Sequence, residues 1–475
     1  MIAYIDLGQY RAYRFCSVAN GFSMDTSDFV PTKVEMHNNP VGLIGSVRAV
    51  QKNALAIIPD IALQQPILSG FTGKRWHMIM DPGAMRQILL DNVGNYPKSL
   101  ATRNVLGPAI GKSMFVAEGA HWRWQRRAVA PVFSPRNIRN LSPIMSHAAQ
   151  RSVDRIAAAG RGAVDLHDEM ATATFEVISD VTFTGNDGLD RDMVHRALER
   201  YLETGAKMTV LDMIDAPTWV PRFKRTIAAH ELKYLKAQAD RVINDRKTKP
   251  SADMASDLLD LLVHSKDPET DRGMTTDELR DNLLTFILAG HETTALALSW
   301  ALYLLANHPH YQERAIEEAK GQLNGRIAGE ADLAHLPFIR QIIDETMRLY
   351  PPAAIVSRTA MDRDVLCGRQ IRKGDTMILP LYALHRSRLL WQDPDLFIPE
   401  RFENPKSIDR FAYIPFIDGP RVCIGAQFAI NEAVIILASI LTRFRFRPVV
   451  GKVPDPVMVL TLRPEGGVWL TAEPV

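Results

Sequence analysis

Cysteine is scarce in this chain: three occur in 475 residues, Cys16, Cys367 and Cys423. An odd and scattered set excludes a disulfide framework and fits a reducing compartment. A dominant charge is missing too. Lys and Arg number 56 against 54 Asp and Glu, a formal net charge of +2, so the balance does not ask for nucleic acid or an anionic membrane as main partner. The N-terminus, MIAYIDLGQYRAYRF, lacks the basic, apolar and small-residue regions of a signal peptide. No run reads as a membrane span: 283–306 is long enough but holds His291, Glu292, Thr293 and Thr294 in its middle, and 433–441 is too short. A cytoplasmic protein without a transmembrane segment is expected. Internal repeats and low-complexity tracts are also lacking, and no linker splits the chain.

What is present is a large apolar content, 46% of residues, organised mostly at helical spacing. The spacing predicts helices over about 121–130, 146–159, 165–182, 190–204, 225–247, 275–308, 310–322, 338–349 and 424–444. Thr275 and Glu278 form a capping box for the longest. Short β-branched runs between Pro and Gly predict strands within 34–80, near 355–380 and over 457–472. The fold class is therefore mainly α with a minor β region. Residues 1–30 read as a loosely attached arm and 31–475 as one domain.

The segment Phe416, Ile417, Asp418, Gly419, Pro420, Arg421, Val422, Cys423, Ile424, Gly425 runs into an apolar helix. A helix start favours thiolate over thiol, and thiolate is what a soft metal ligand must be. Gly419 and Gly425 would let backbone approach a flat group, Phe416 would shield the sulfur, and Arg421 would pair with an acid. A buried structural cysteine is the ordinary alternative. Five specified residues in ten arise by chance in such a chain with probability on the order of one in ten thousand.

This loop resembles the haem-binding loop of the cytochromes P450, F-x-x-G-x-R-x-C-x-G, without departure. Three further motifs follow the family's order. Glu345 and Arg348, one helical turn apart, precede Arg401 in PERF, which implies a buried structural triad that favours folding and haem retention. Ala289, Gly290, His291, Glu292, Thr293 and Thr294 resemble the oxygen-binding stretch A-G-x-[DE]-T-[TS]. That likeness implies a catalytic Thr293 beside the dioxygen site, with Glu292 in its proton supply. Gly290 and Thr293 lead us to expect a bulge in this helix. Trp122 and Arg126 match the family's W-x-x-x-R, and together with Arg358 and His385 are expected to hold the haem propionates.

The resemblance implies haem b ligated by Cys423, lying between the long helix and the cysteine-loop helix of a soluble, bacterial-type P450. It implies a monooxygenase that puts one oxygen atom of O2 into a hydrophobic substrate. NAD(P)H would serve indirectly, through a separate ferredoxin or flavodoxin with its reductase, steered by Arg123 and Arg127. The expected pocket lining is 96–117, 208–223, 283–289, 353–356 and 457–460. A peroxide-driven peroxygenase and a non-enzymatic haem-thiolate sensor stay open as alternatives.

Overall fold

The computed structural model describes residues 29–37, 52–160, 162–182, 191–200, 229–248 and 257–475. Cys16, most of the expected arm and the 208–223 lining segment lie outside them. Ten helices carry the argument: α1 Leu100–Ile110, α2 Gly119–Val129, α3 Pro135–Ala158, α4 Leu166–Thr182, α5 Arg191–Arg200, α6 Ala229–Thr248, α7 Thr276–Asn307, α8 Pro309–Leu323, α9 Pro337–Leu349 and α10 Ala426–Leu441.

The strands are β1 Ile67–Phe71, β2 Arg75–Ile79, β3 Ala163–Asp165, β4 Val356–Thr359, β5 Asp364–Leu366, β6 Arg369–Ile371, β7 Thr376–Leu379, β8 Phe444–Pro448, β9 Asp455–Met458, β10 Leu462–Glu465 and β11 Trp469–Pro474. They form a four-stranded sheet β1-β2-β7-β4, a three-stranded sheet β3-β11-β8 and two hairpins, β5-β6 and β9-β10. The result is a mainly helical fold with a small β part.

α7 is the axis. It starts at the expected capping box, with the Thr275 hydroxyl accepting from Glu278 N–H at 3.3 Å and the Glu278 carboxylate accepting from Thr275 N–H at 3.0 Å. α4, α6, α9 and α10 all pack against it. Trp300 of α7, fully buried, stacks on Tyr350 with ring centroids 3.9 Å apart and donates Nε1–H to Leu462 O at 3.1 Å. One aromatic thereby fastens α7 to the end of α9 and to β10. Tyr350 in turn donates to Thr32 O at 2.6 Å, which ties the described N-terminal residues to the core.

Two expectations change. α3 begins at Pro135, eleven residues before the periodic stretch, because Pro143 inside it reads as a breaker yet is accommodated. α7 runs as unbroken α-helix, so the expected bulge is not there. The Thr293 hydroxyl bonds to Ala289 O at 2.8 Å without opening the helix. Gly290 has a packing reason instead, since a Cβ there would meet Ile178 Cδ1 of α4 at 3.2 Å.

Candidate active site

Cys423 sits three residues before α10. Its N–H donates to Phe416 O at 3.0 Å, closing the loop into a tight ring. Ile417 within it has φ +60°, an unusual conformation for a β-branched residue that costs roughly 1–3 kcal/mol. Gly419, at φ +74°, is required for a different reason from the one expected: a Cβ there would lie 2.0 Å from Leu89 O. At Gly425 a Cβ would meet nothing within 4 Å, so the approach beside the sulfur is open. Cys423 is exposed as a residue, while protein packs closely around its sulfur. Burial pushes its pKa up, against the pull of the Gly425 N–H and the Arg126 charge. Desolvation thus outweighs the expected lowering by the helix start, and a metal cation in place of the proton would favour the thiolate.

Around this sulfur the fold gathers positive charge. Arg126 of α2 acts on Cys423, and among the described residues it has no hydrogen-bond or ion-pair partner. Arg358 of β4 is 5% exposed and bonds through Nη1 to its neighbour Ser357 O at 3.0 Å; burial first and then Arg421 lower its pKa to about 10. Arg421 pairs with Glu118, donates to Ala117 O at 3.1 Å and lies over the Trp122 ring, 4.4 Å from its centroid. Lys98 joins them, its pKa held well below the usual lysine range by burial, Arg358 and Arg421.

Lys98, Arg358 and Arg421 thus face one carboxylate, Glu118, while Arg126 faces Cys423. Buried cations in such excess are costly without anions beside them. A sulfur ligand, an open face next to it and cations placed for two carboxylates fit an iron porphyrin with two propionates. Sequence reading found Trp122, Arg126, Arg358 and Arg421, and missed Lys98 and Glu118, which carry no motif.

His385 is corrected. It is 0% exposed, its Nε2 accepts from Ile414 N–H at 3.1 Å, and its ring meets Tyr413 at 5.3 Å. Burial, then the charges of Arg348 and Arg386, push its pKa down to about 3. A neutral imidazole locked in that network is a poor partner for a propionate. Its carbonyl accepts from Arg348, and that is the network it serves.

Glu345 and Arg348 are both 0% exposed. All five donors of Arg348 are used: Nε and Nη2 on the two Glu345 oxygens at 2.6 and 2.8 Å, and the rest on the carbonyls of His385, Pro394 and Leu396 at 2.7–2.9 Å. Ile398 N–H adds a bond to Glu345 at 2.9 Å, and Arg401 Nε lies 3.4 Å from the same carboxylate. The three expected partners meet.

On α7 every residue from 281 to 306 is buried except Ala289, Gly290 and Thr293. Ala289 and Thr293, four apart, share one face, so the helix opens along a single short stripe there. Glu292 and Thr293, expected as a pair, do not touch. Glu292 points to β10, accepting from Thr461 Oγ1 at 2.7 Å and from Arg463 Nε at 2.6 Å. Arg127, expected to steer a partner, is instead bound to Asp267 by bonds of 2.6 and 2.7 Å.

A second acid was not anticipated. Glu432 of α10, 2% exposed, lies near the Thr294 hydroxyl, and burial pushes its pKa up to about 8. The folded protein therefore keeps a proton that an unfolded glutamate, near 4.5, releases. This stabilising difference is complete below about pH 4.5 and is lost as pH rises through 8. Glu432→Gln is expected to flatten the fall in unfolding temperature between pH 5 and 8. Equal slopes for variant and wild type would contradict the burial of an acid here.

The profile of the cytochrome P450 family matches residues 65–470. Similar proteins include human cytochrome P450 4F12, 31% identical over 84% of this chain and 80% of its own length. Rat cytochrome P450 4F6 is 31% identical over 84% and 78%, and mouse leukotriene-B4 omega-hydroxylase 3 is 31% identical over 82% and 79%. These relatives are mammalian, so the bacterial-type reading of the sequence is not borne out. A cysteine loop ringed by cations, an Arg–Glu–Arg network behind it and a family match across most of the length agree: the chain belongs to the cytochrome P450 family.

Proposed function

We propose that this P450 monooxygenase inserts one atom of O2 into a C–H bond of a long, apolar, lipid-like substrate, with Cys423 as the iron ligand. The family makes it an oxygen-incorporating enzyme that uses haem b, a hydrophobic substrate and NAD(P)H-derived electrons from a redox partner. Bound through a thiolate, haem supplies dioxygen binding and O–O cleavage. The observation that carries the reading is the cation-ringed Cys423 loop together with the one open stripe of α7. The name of the mouse relative, leukotriene-B4 omega-hydroxylase, supports oxidation at the terminal carbon of a lipid chain.

The residues divide the work. Trp122, Arg126, Arg358 and Arg421, with Lys98, hold the propionates; Phe416, Gly419 and Gly425 shape the sulfur's surroundings; Glu345, Arg348 and Arg401 brace the proximal side. Residues 31–475 act as one haem domain. Thr293 works on protons. Its hydroxyl donates to Ala289 O in the resting helix, and its oxygen lone pairs are free to accept from a water on the open stripe. Turning that hydroxyl outward lets it hold the water that delivers a proton to the oxygen site.

Thr293→Ala is expected to bind haem and substrate normally but to divert reducing equivalents into hydrogen peroxide. The loss of product per NAD(P)H should sit at or below the low end of the roughly 10²–10⁴-fold worth of general acid help, because water fills the gap. Unchanged coupling would refute the relay. Product formed from hydrogen peroxide alone, without an electron partner, would point to a peroxygenase, and NAD(P)H use without product from any apolar compound to a sensor.

The electron donor is a separate protein, a ferredoxin or flavodoxin with its reductase. Reconstitution with each, and with a flavoprotein P450 reductase, tests this by rate. Cytoplasmic placement belongs to the same proposal. Among the described residues no helix is long and apolar enough to cross a membrane, and recovery in the membrane fraction would overturn it.

A further inference from the structure

The four-stranded sheet β1-β2-β7-β4 carries a group of side chains that the haem site does not use. Ser69 of β1 and His77 of β2 stand directly opposite each other. Met80 N–H bonds Pro66 O at 2.9 Å and Thr72 N–H bonds Lys74 O at 3.0 Å. By alternation, Leu68 with Met78 and Gly70 with Trp76 are the hydrogen-bonded pairs of this hairpin, and Ser69 with His77 is a non-hydrogen-bonded pair. Side chains lie closest in such a pair, and Ser69 Oγ is 2.8 Å from His77 Nδ1. The other ring nitrogen, Nε2, is 3.1 Å from Asp375 Oδ2, just ahead of β7.

This chain of contacts sets the tautomer. Asp375 Oδ2 also accepts from Arg75 Nη2 at 2.6 Å and from Arg372 N–H at 2.7 Å, the pattern of a carboxylate. An acceptor of that kind takes the Nε2 proton, which leaves the Nδ1 lone pair for the Ser69 hydroxyl. His77 is 4% exposed, and burial lowers its pKa, with Arg75 and Arg369 and against Asp375, so the imidazole is neutral at pH 7. Ser69 is half-buried. On its face of β1 it stands between Ile67, 4% exposed, and Phe71, 42% exposed, where the strand emerges. β1 is the end strand of its sheet, so Ser69 turns its N–H off that edge, and among the described residues no hydrogen bond reaches it. On the opposite face Trp76 lies across Gly70, where a Cβ would come within 2.2 Å of the ring, and this pins the strand beside Ser69.

We propose that Ser69 is a second reactive centre, a nucleophile toward carboxylic esters and related acyl or phosphonyl donors with an apolar group that Phe71 covers. His77 is its general base, and Asp375 is a positioning residue that acts through His77. The steps balance without oxidant or reductant. Ser69 Oγ bonds to the acyl carbon as its proton passes to His77 Nδ1; the ester C–O bond breaks, and the alkoxide leaves with that proton. Water then attacks the acyl carbon, a proton returns through His77 to Ser69, and the acid is released. The Ser69 N–H is placed to donate to the oxygen that gains charge, as a nucleophile's own N–H does in an oxyanion hole.

The test uses the haem-loaded protein and an alkyl fluorophosphonate, which forms an O–P bond at an activated serine with loss of fluoride. Mass spectrometry should place the adduct on Ser69. Ser69→Ala should abolish it, with haem content and the ferrous carbon monoxide spectrum as in wild type. His77→Gln should slow labelling by roughly 10²–10⁴-fold. Labelling of the wild type should rise with pH and level off near neutrality, since His77 must be neutral to act. In Asp375→Asn the half-point should move further down, because the anion that raises the pKa of His77 is gone. A purely structural Asp375 would leave it in place. Turnover of p-nitrophenyl butyrate should be lost in Ser69→Ala.

No adduct on Ser69, or equal labelling of wild type and His77→Gln, would overturn the proposal. Should His77→Gln fold poorly, the wild-type profile decides: a rate that climbs roughly tenfold per pH unit through pH 9 is that of an unassisted hydroxyl and contradicts a histidine base. Absence of p-nitrophenyl butyrate turnover in the wild type, or equal turnover in Ser69→Ala, would overturn the hydrolytic step.

Discussion

Arg348→Ala is expected to yield little folded protein and almost no bound haem. Removing the guanidinium strands the Glu345 carboxylate in a site with no exposure, at a cost of roughly 3–5 kcal/mol. Three backbone carbonyls lose their donor in the same step. Against a total stability of about 5–15 kcal/mol this is enough to depopulate the native state. Arg348→Lys should fare little better, because one ammonium cannot serve two carboxylate oxygens and three carbonyls from fixed directions. Expression yield, haem per chain and unfolding temperature measure the effect. Normal values in Arg348→Ala would sink the bracing role of the triad.

Cys423→Ser carries the second large effect, and it acts on the cofactor without unfolding the chain. The loop around Cys423 is held by backbone bonds and by Gly419 against Leu89, and neither depends on the sulfur. The apoprotein should therefore fold, with helical circular dichroism like that of wild type. Haem occupancy should fall to a small fraction, since a serine hydroxyl does not ionise as a thiol does and is a poor soft-metal ligand. Cys367 cannot substitute: it lies in the β5-β6 hairpin turn, and burial together with Asp81 pushes its pKa up to about 12. Full haem occupancy and undiminished turnover in Cys423→Ser would show that the ligand lies elsewhere.

The parts of this molecule that could be read in sequence are those whose reason is local. The cysteine loop is a contiguous pattern. α7 announces itself by Thr275, Glu278 and a long apolar stretch, and α4, α8 and α9 by their spacing. α1 was not anticipated, because Gly107 and Pro108 near its end mask its periodicity. The helix expected over 424–444 ends at Leu441, and Phe444–Pro448 forms β8, whose alternating burial suits an extended strand.

The site features that escaped are long-range. Lys98 and Glu118 come near Arg421 across some 300 residues of chain, and Arg463 reaches Glu292 across 171. No spacing rule reveals such pairs. Gly419 was noticed, but its reason, the Leu89 carbonyl, was visible only in the fold. His385 misled because a histidine in LHRSRLLWQDPDLFIPERF has no local mark of whether it faces a propionate or a buried arginine. The acid and alcohol on α7 were found as residues, but that the Glu292 side chain is bound beside β10 has no local signal in the sequence.

The measurement that bears most directly on the central claim is the absorption spectrum of the purified, haem-loaded wild-type protein, reduced and exposed to carbon monoxide. Thiolate ligation through Cys423 gives a Soret band displaced far to the red of that of a histidine-ligated haem, and a homogeneous band of that kind is the expected result. A ferrous carbon monoxide complex with an ordinary, unshifted Soret band, in protein that is folded and fully loaded, would contradict the account.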